Sequence, residues 1–567
     1  MKFTNFFDKA NIHKSFIILL FGLLSTGPIV SAQTASTAVT AKSETVELAA
    51  NEKELTENIT IASIRRFTEA LSADVMEGRG TLQPGGDRAA SWIADKFKSF
   101  GLKPLGEKNS YLQPIKFIET AITPDSYFQV GEEKFKLGQD YGYIPLPFKK
   151  TDKKTDGDLY FIGYGMEAFS KDSNMLSKVR GKIVVMIEGP PSSVPKEKWD
   201  ELEVGIKLTQ GLIASGAKGI LLVGNGGEDD KTEEYIDYFG RRQIELSDDS
   251  GSNPPNAFPP LMMISRATAE KLFTKSETKF DEAMKNAESN SFKSFELNEK
   301  ADIAVKYESR KGVSNNVVGV LEGSDPQLKT EAVLFSAHYD AYGIENGKIY
   351  NGAADNALGT AEMLAVAEAY SKMTPKPKRS MIFLAVTGEE YGLYGSKYWA
   401  KNPTWDIKKV SANLNLDGIG TEVYGPVKNI VGFGAEYSTL GKMLDDVTKS
   451  YGINVMADPQ PEEKVFYRSD HYSFVERGVP ALMLLGAPEG TKESLVAKIK
   501  AWEKVNYHQP TDDIMNDWDW SGAKTVADIM GVLGLRISNQ EKMPEWLKDQ
   551  RFGELKRGNT KDLPEEN

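Results

Sequence analysis

The sequence predicts an α/β protein whose main body is a doubly wound, mixed sheet, parallel in its centre and flanked by helices, with a smaller α/β domain inserted into it. Three observations carry this expectation. Apolar runs at 332–337, 381–386, 412–416, 430–433 and 481–485 are short and nearly continuous, as in strands buried on both faces. The stretches between and after them, 360–370, 391–400, 438–450 and 523–535, carry apolar residues at helical spacing. Between Pro124 and Asn298 the texture changes, and this region contains no histidine.

Taken in order, Lys2, Lys9 and Lys14 precede an apolar run at 16–24, and Val30, Ser31 and Ala32 offer a small-residue cleavage site before Gln33. Residues 1–32 therefore read as an export signal. The run is well short of the ~20 apolar residues that span a bilayer, so the mature chain is expected to be exported, periplasmic or secreted, without an integral membrane segment. Residues 33–55, mostly Ala, Thr, Glu and Lys, read as a tether. Residues 56–124 begin the main domain with two helical pieces, marked by Ile64, Phe67 and Leu71 and then by Ala89, Ile93 and Phe97, with a turn near Gly85 and Gly86 between them. Residues 125–300 form the expected insert, with strand-like runs at 159–163, 183–187 and 220–223 and a helical stretch at 208–216. Residues 301–540 carry the main sheet, and 541–567, dominated by charge, read as a surface appendage.

Composition narrows the chemistry. With 40% apolar and 26% charged residues among 567, wholesale disorder is excluded. A net charge of −12 argues against non-specific nucleic-acid binding, which needs a basic surface. The absence of cysteine removes disulfides, iron–sulfur clusters and thiolate zinc sites. Only four histidines exist, and cleavage of the signal would remove His13, leaving His338, His471 and His508.

Ligands of open α/β sheets gather beyond the carboxyl ends of the strands. His338 and Asp340 follow the first apolar run of the main sheet, Glu389 and Glu390 the second, and Asp417 the third. Asp355 sits just before a helix, and His508 lies in a loop ahead of the last long helix. A lone Asp after a strand is ordinarily a turn former, and paired glutamates ordinarily a solvated helix start. Their joint occurrence with two histidines on one rim points instead to two divalent metals held by nitrogen and oxygen. Zinc suits that donor set, and manganese or cobalt also fit it. Three ligand carboxylates and one bridging hydroxide would balance two dications, which permits burial. Asp355 is placed to bridge. Asp340 can accept from the imidazole nitrogen of His338 that faces away from the metal. Of two adjacent glutamates one can ligate, and the other can act as general base.

The series Ser336-Ala337-His338-Tyr339-Asp340, Asn351 to Gly359 around Asp355, Thr387 to Ser396 around Glu389 and Glu390, and Asn415-Leu416-Asp417 resembles the co-catalytic zinc aminopeptidases. That family also includes glutamate carboxypeptidase and the non-catalytic transferrin receptor. The resemblance spans 301–540 and implies the zinc-peptidase fold. Residues 125–300, notably Gly163-Tyr164-Gly165 and 211–223, resemble the protease-associated domain such enzymes carry, which would shape the substrate cleft or dock a protein. By position the resemblance implies that His338 and Asp417 hold one zinc, Glu390 and His508 the other, and Asp355 bridges them. Glu389 matches the general base and Asp340 the acid behind His338. The peptide between Asp355 and Asn356 would be cis. His471, within Arg468-Ser469-Asp470-His471, resembles a residue near the substrate pocket rather than a ligand.

The function these features imply is hydrolysis of peptide substrates, foremost as an aminopeptidase. A carboxypeptidase of the glutamate-releasing kind is the alternative, with Arg468 as the cation for a substrate carboxylate. A binding protein that keeps the fold without catalysis is a third reading.

Overall fold

A computed structural model describes residues 47–561 and 563, apart from 146–149, 171–172, 202, 228–229, 248–257, 290, 419–420 and 516–517. The expected export signal and the tether up to residue 46 lie outside the described residues. Two compact units emerge: Ile118–Lys311, and a larger unit built from the residues up to Phe117 together with Gly312 onward. The inserted unit is thus wider at both ends than the 125–300 expected. Each boundary falls inside one continuous strand, Leu112–Ile122 or Tyr307–Leu321, where composition does not change.

The main sheet of the larger unit includes the strands β1 (Leu112–Ile122), β2 (Tyr307–Leu321), β3 (Ala332–His338), β4 (Ser380–Val386), β5 (Val410–Asn415), β6 (Val427–Phe433), β7 (Asn454–Met456) and β8 (Ala481–Pro488). They lie side by side in the order β7-β6-β8-β5-β3-β4-β2-β1. The four central strands β8, β5, β3 and β4 are parallel, while β2 joins β4 and β6 joins β8 antiparallel. Every residue of β3, β4 and β5 is buried, which explains their unbroken apolar runs.

The helices are α1 (Ala50–Asn58), α2 (Ile61–Leu71), α3 (Pro84–Ser99), α4 (Gly359–Lys372), α5 (Tyr394–Lys401), α6 (Leu440–Thr448), α7 (His471–Val475), α8 (Lys492–Asn506) and α9 (Trp520–Asn539). On one face of the sheet, side chains of α2, α3, α4 and α9 share a core with Val333, Phe335 and Ala337 of β3. On the other, Trp399 of α5 and Phe474 of α7 pack with Ala332 and Leu334. Successive residues of one strand thus feed opposite cores, the geometry of a doubly wound sheet.

Three local expectations are corrected. Helix α1 occupies the last part of the segment read as tether, because Leu55 and Ile59 are fully buried and Glu52 binds both the Ala49 N–H and Arg536. Gly85 and Gly86 open α3 instead of forming a turn. Pro84 supplies the pre-set φ of a first helical residue, and a Cβ on Gly85 would lie 2.1 Å from the Met76 carbonyl oxygen. The turn itself is Asp74–Arg79, where Glu77, Gly78 and Arg79 have positive φ. Finally, the described C-terminal residues from 541 are no surface appendage. Trp546 and Phe552 are buried against β6 and β8, the Trp546 indole N–H donates to the Gly478 carbonyl (3.1 Å), and Arg557 binds the carbonyls of Val410 and Ser411. The apolar anchors decide the packing although charges outnumber them.

The inserted unit has its own eight-stranded sheet, in which Lys153–Phe161, Ile183–Ile187, Gly219–Val223 and Leu261–Ile264 run parallel, with a core on each face. No described helix is long and apolar enough to cross a membrane.

Truncating Trp546 tests the C-terminal correction. Trp546→Ala should cost about 3–5 kcal/mol, read as a lowered midpoint in urea unfolding; a loss under about 1 kcal/mol, the usual cost at a surface site, would restore the appendage reading.

Candidate metal centre

The parallel register aligns the ends of three strands on one edge. His338 is the last residue of β3, Asp417 follows β5, and Glu389 and Glu390 follow β4. Asp355 lies in the turn Ala353–Leu358 that leads into α4, and His508, with a φ of 57°, lies in the loop after α8. The Asp355–Asn356 peptide is cis. The Asn356 side chain donates to the Leu416 carbonyl (2.9 Å) and accepts from the Gly359 N–H (3.0 Å).

Two donor triads result, sharing Asp355. Around His338 Nε2 lie Asp417 Oδ1 at 3.2 Å and Asp355 Oδ1 at 3.3 Å. Around His508 Nε2 lie Glu390 Oε2 at 3.1 Å and Asp355 Oδ2 at 3.6 Å. Each oxygen of Asp355 therefore serves a different triad. A tetrahedral zinc with donors about 2.0–2.1 Å away separates them by roughly 3.3 Å, so the residues present fit two such ions. Glu389 stands outside both triads, its Oε2 3.9 Å from His338 Nε2.

The ligand orientations have visible causes. The His338 Nδ1–H faces the backbone carbonyl of Asp340 (3.1 Å), whereas the Asp340 carboxylate is 3.9 Å away. This corrects the expected side-chain contact: Asp340 orients His338 through its main chain. Its carboxylate instead accepts from the Glu389 N–H (3.3 Å) and the Thr81 hydroxyl (3.2 Å). His508 Nδ1 meets the Tyr342 hydroxyl (3.2 Å), and the imidazole stacks on Tyr507 at 3.7 Å. The Ser469 hydroxyl donates to Asp417 Oδ2, leaving Oδ1 toward His338, and accepts from Asn415 Nδ2 (2.8 Å).

Burial and crowding among anions set the proton affinities. Burial, then the charges of Asp417, Asp470 and Glu390, raises the Glu389 carboxyl well above the ordinary range, outweighing His338. Burial also lifts Asp355, and brings Asp340 to about 6. For Glu390 and Asp417 the burial effect is upward too, but the adjacent imidazoles outweigh it and both end below their usual values. Burial lowers His338, yet the acids around it prevail and its imidazole is held well above 6.5.

Arg468 and His471 are not brought into the triads. The Arg468 guanidinium is partly exposed and reaches Glu463, though its charge is felt by the Tyr507 hydroxyl. His471 is fully buried, with its ring 5.1 Å from Phe466, so it does not line an open pocket. Residues that sequence reasoning missed are Thr81, Tyr342, Ser469, Asp512 and Arg79. The Asp512 carboxylate accepts from the N–H groups of Ala354 (2.9 Å) and Asp355 (3.0 Å). The buried Arg79 guanidinium donates to the carbonyls of Leu71, Tyr339, Asn351 and Gly352. The glycines flanking Arg79 and the short spacing of Asp512 from His508 were the available signals.

Residues 316–533 match the model of peptidase family M28. Curated relatives include vacuolar membrane proteases of Candida dubliniensis, 30% identical over 185 residues (32% of this chain and 18% of that one), and Clavispora lusitaniae, 39% identical over 120 residues (20% and 11%). The chain thus spans under a fifth of the length of these relatives. Similar solved structures include an aminopeptidase from Aneurinibacillus sp. strain AM-1 (TM-score 0.56, 19% identity, covering 87% of this chain and 97% of that one) and a zinc aminopeptidase from Bacillus subtilis (TM-score 0.53, 16% identity, 91% and 100%). At these identities the likeness is one of fold.

Burial lowers the His471 imidazole to about 4 from its ordinary 6.5. The native fold keeps it neutral where the unfolded chain would protonate it, so its contribution is intact above pH 6.5 and drains as pH falls toward 4. In metal-free protein this amounts to about 3 kcal/mol. Urea unfolding of His471→Leu at each pH should show that share of the acid slope removed; an unchanged slope assigns it elsewhere.

Proposed function

We infer that this chain, whose residues 316–533 match the model of peptidase family M28, is an exported di-zinc aminopeptidase that removes N-terminal residues from peptides. The observation that carries this reading is the division of the Asp355 carboxylate between two donor triads, with Glu389 beside them and outside both.

His338, Asp417 and Asp355 would hold one ion, and Glu390, His508 and Asp355 the other. Two divalent cations held there would supply Lewis-acid activation of the scissile carbonyl and of an attacking water. Glu389 takes the proton of that water and returns it to the departing amine, a task suited to a carboxylate whose proton affinity is raised by burial. Asp340 steadies Glu389 by accepting its backbone N–H. Ser469 and Tyr342 keep Asp417 and His508 aimed inward. The substrate's free amine would pair with the excess of carboxylates in the site. The inserted unit would be the protease-associated domain that its sequence resembles.

The partly exposed Arg468, near enough for its charge to act on Tyr507, keeps the carboxypeptidase reading as the alternative. An aminoacyl anilide and an N-acylated dipeptide, assayed side by side before and after chelation, separate the two. Cleavage of the first alone supports the aminopeptidase; cleavage of the second alone transfers the assignment.

Glu389→Gln should retain two metals per chain and lose about 10²–10⁴-fold in kcat, measured by elemental analysis and by turnover of the preferred substrate. Near-normal turnover with both metals bound would remove Glu389 as the base.

A further inference from the structure

Three side chains next to the donors, none of them a donor, tie the loop of Asp355 to the rest of the site. Asn356 donates to the carbonyl of Leu416, the neighbour of Asp417 (2.9 Å). Arg79 donates to the carbonyls of Gly352 (2.8 Å) and of Tyr339, the neighbour of His338 (2.6 Å). Both ties therefore fix the Asp355 loop against the His338 and Asp417 side. The third tie runs the other way. Asp512, four residues beyond His508, accepts the N–H of Ala354 with one carboxylate oxygen and that of Asp355 with the other, at 2.9 and 3.0 Å. Its own carbonyl accepts the N–H of Ala353 (3.1 Å). Three consecutive N–H groups of the Asp355 loop are thus held by one residue of the His508 loop.

Asp512 is 3% exposed, so these bonds are not exchanged with solvent, and its two acceptor oxygens match two donors pointing the same way. An amide at this position would present an NH₂ group to one of those N–H groups, leaving a buried donor facing a donor.

We propose that Asp512 is the positioning residue that sets the distance between Asp355 and His508, and so governs the metal held by Asp355, Glu390 and His508 separately from the metal held by His338, Asp355 and Asp417. The inference rests on the di-metal reading of the site. The selectivity follows from the layout: without Asp512, Asn356 and Arg79 still hold Asp355 to the first triad, while His508 loses its registration with Asp355.

The test is calorimetric titration of zinc(II) into metal-free, full-length wild-type and Asp512→Asn proteins. Wild type should bind two ions. In the variant one of the two stepwise affinities should stay within about threefold of wild type while the other falls about 10–100-fold, the range seen when groups behind metal ligands are lost. Stepwise affinities that are unchanged, or that fall equally, overturn the proposal. Wild-type protein that takes up no zinc overturns the di-metal reading itself. A second measurement needs no variant. Hydrogen–deuterium exchange of metal-free wild type should show the amides of Ala353, Ala354 and Asp355 already protected, because Asp512 holds them before metal arrives. Rapid exchange that slows only after zinc is added would overturn the proposal as well.

Discussion

One carboxylate is divided between two donor clusters, and the packing around the site serves that division. Asp355 offers Oδ1 to His338 and Asp417 and Oδ2 to Glu390 and His508. With Glu389, this brings four carboxylates into a buried space. Concentrating anions this way is strongly unfavourable unless cations compensate for it, since each buried ion loses several kcal/mol of solvation. The site is therefore a charge design as much as a geometric one, and two dications are the compensation its donors fit.

Such a site needs its donors fixed before the cations arrive, and the fold achieves this in two layers. The parallel sheet sets the coarse position: β3, β4 and β5 end on one edge, so His338, Glu389, Glu390 and Asp417 converge without long loops. Backbone-directed hydrogen bonds set the fine position. The carbonyl of Asp340 turns His338, the Asp340 carboxylate holds the main chain of Glu389, Ser469 takes one oxygen of Asp417, and Arg79 and Asp512 grip the Asp355 loop by its carbonyls and its N–H groups. The catalytic proposal draws on the same arrangement. A base that must stay out of the donor triads needs a main chain that cannot swing toward them.

The sheet and its rim were legible in the sequence because buried parallel strands leave unbroken apolar runs and because charged residues immediately after such runs are conspicuous. His338, Asp355, Glu390, Asp417 and His508 could each be named from that pattern and from the resemblance it revealed. What stayed hidden were contacts between side chains and distant backbone. The glycines flanking Arg79 and the closeness of Asp512 to His508 mark the two positions without showing which loop they bind, and a carboxylate two residues past a histidine looks like its natural partner until the chain geometry gives the carbonyl that place. The C-terminal segment misled for a related reason: a charged composition hides the two aromatic anchors, Trp546 and Phe552, that dock it. Insert boundaries were blurred because the chain leaves and returns within single strands.

Anomalous diffraction from crystals of the full chain soaked in zinc shows whether Asp355 is shared by two ions. Two peaks are expected, one enclosed by His338, Asp355 and Asp417 and one by Asp355, Glu390 and His508. A single peak, or peaks that leave Asp355 on one side only, would contradict that sharing.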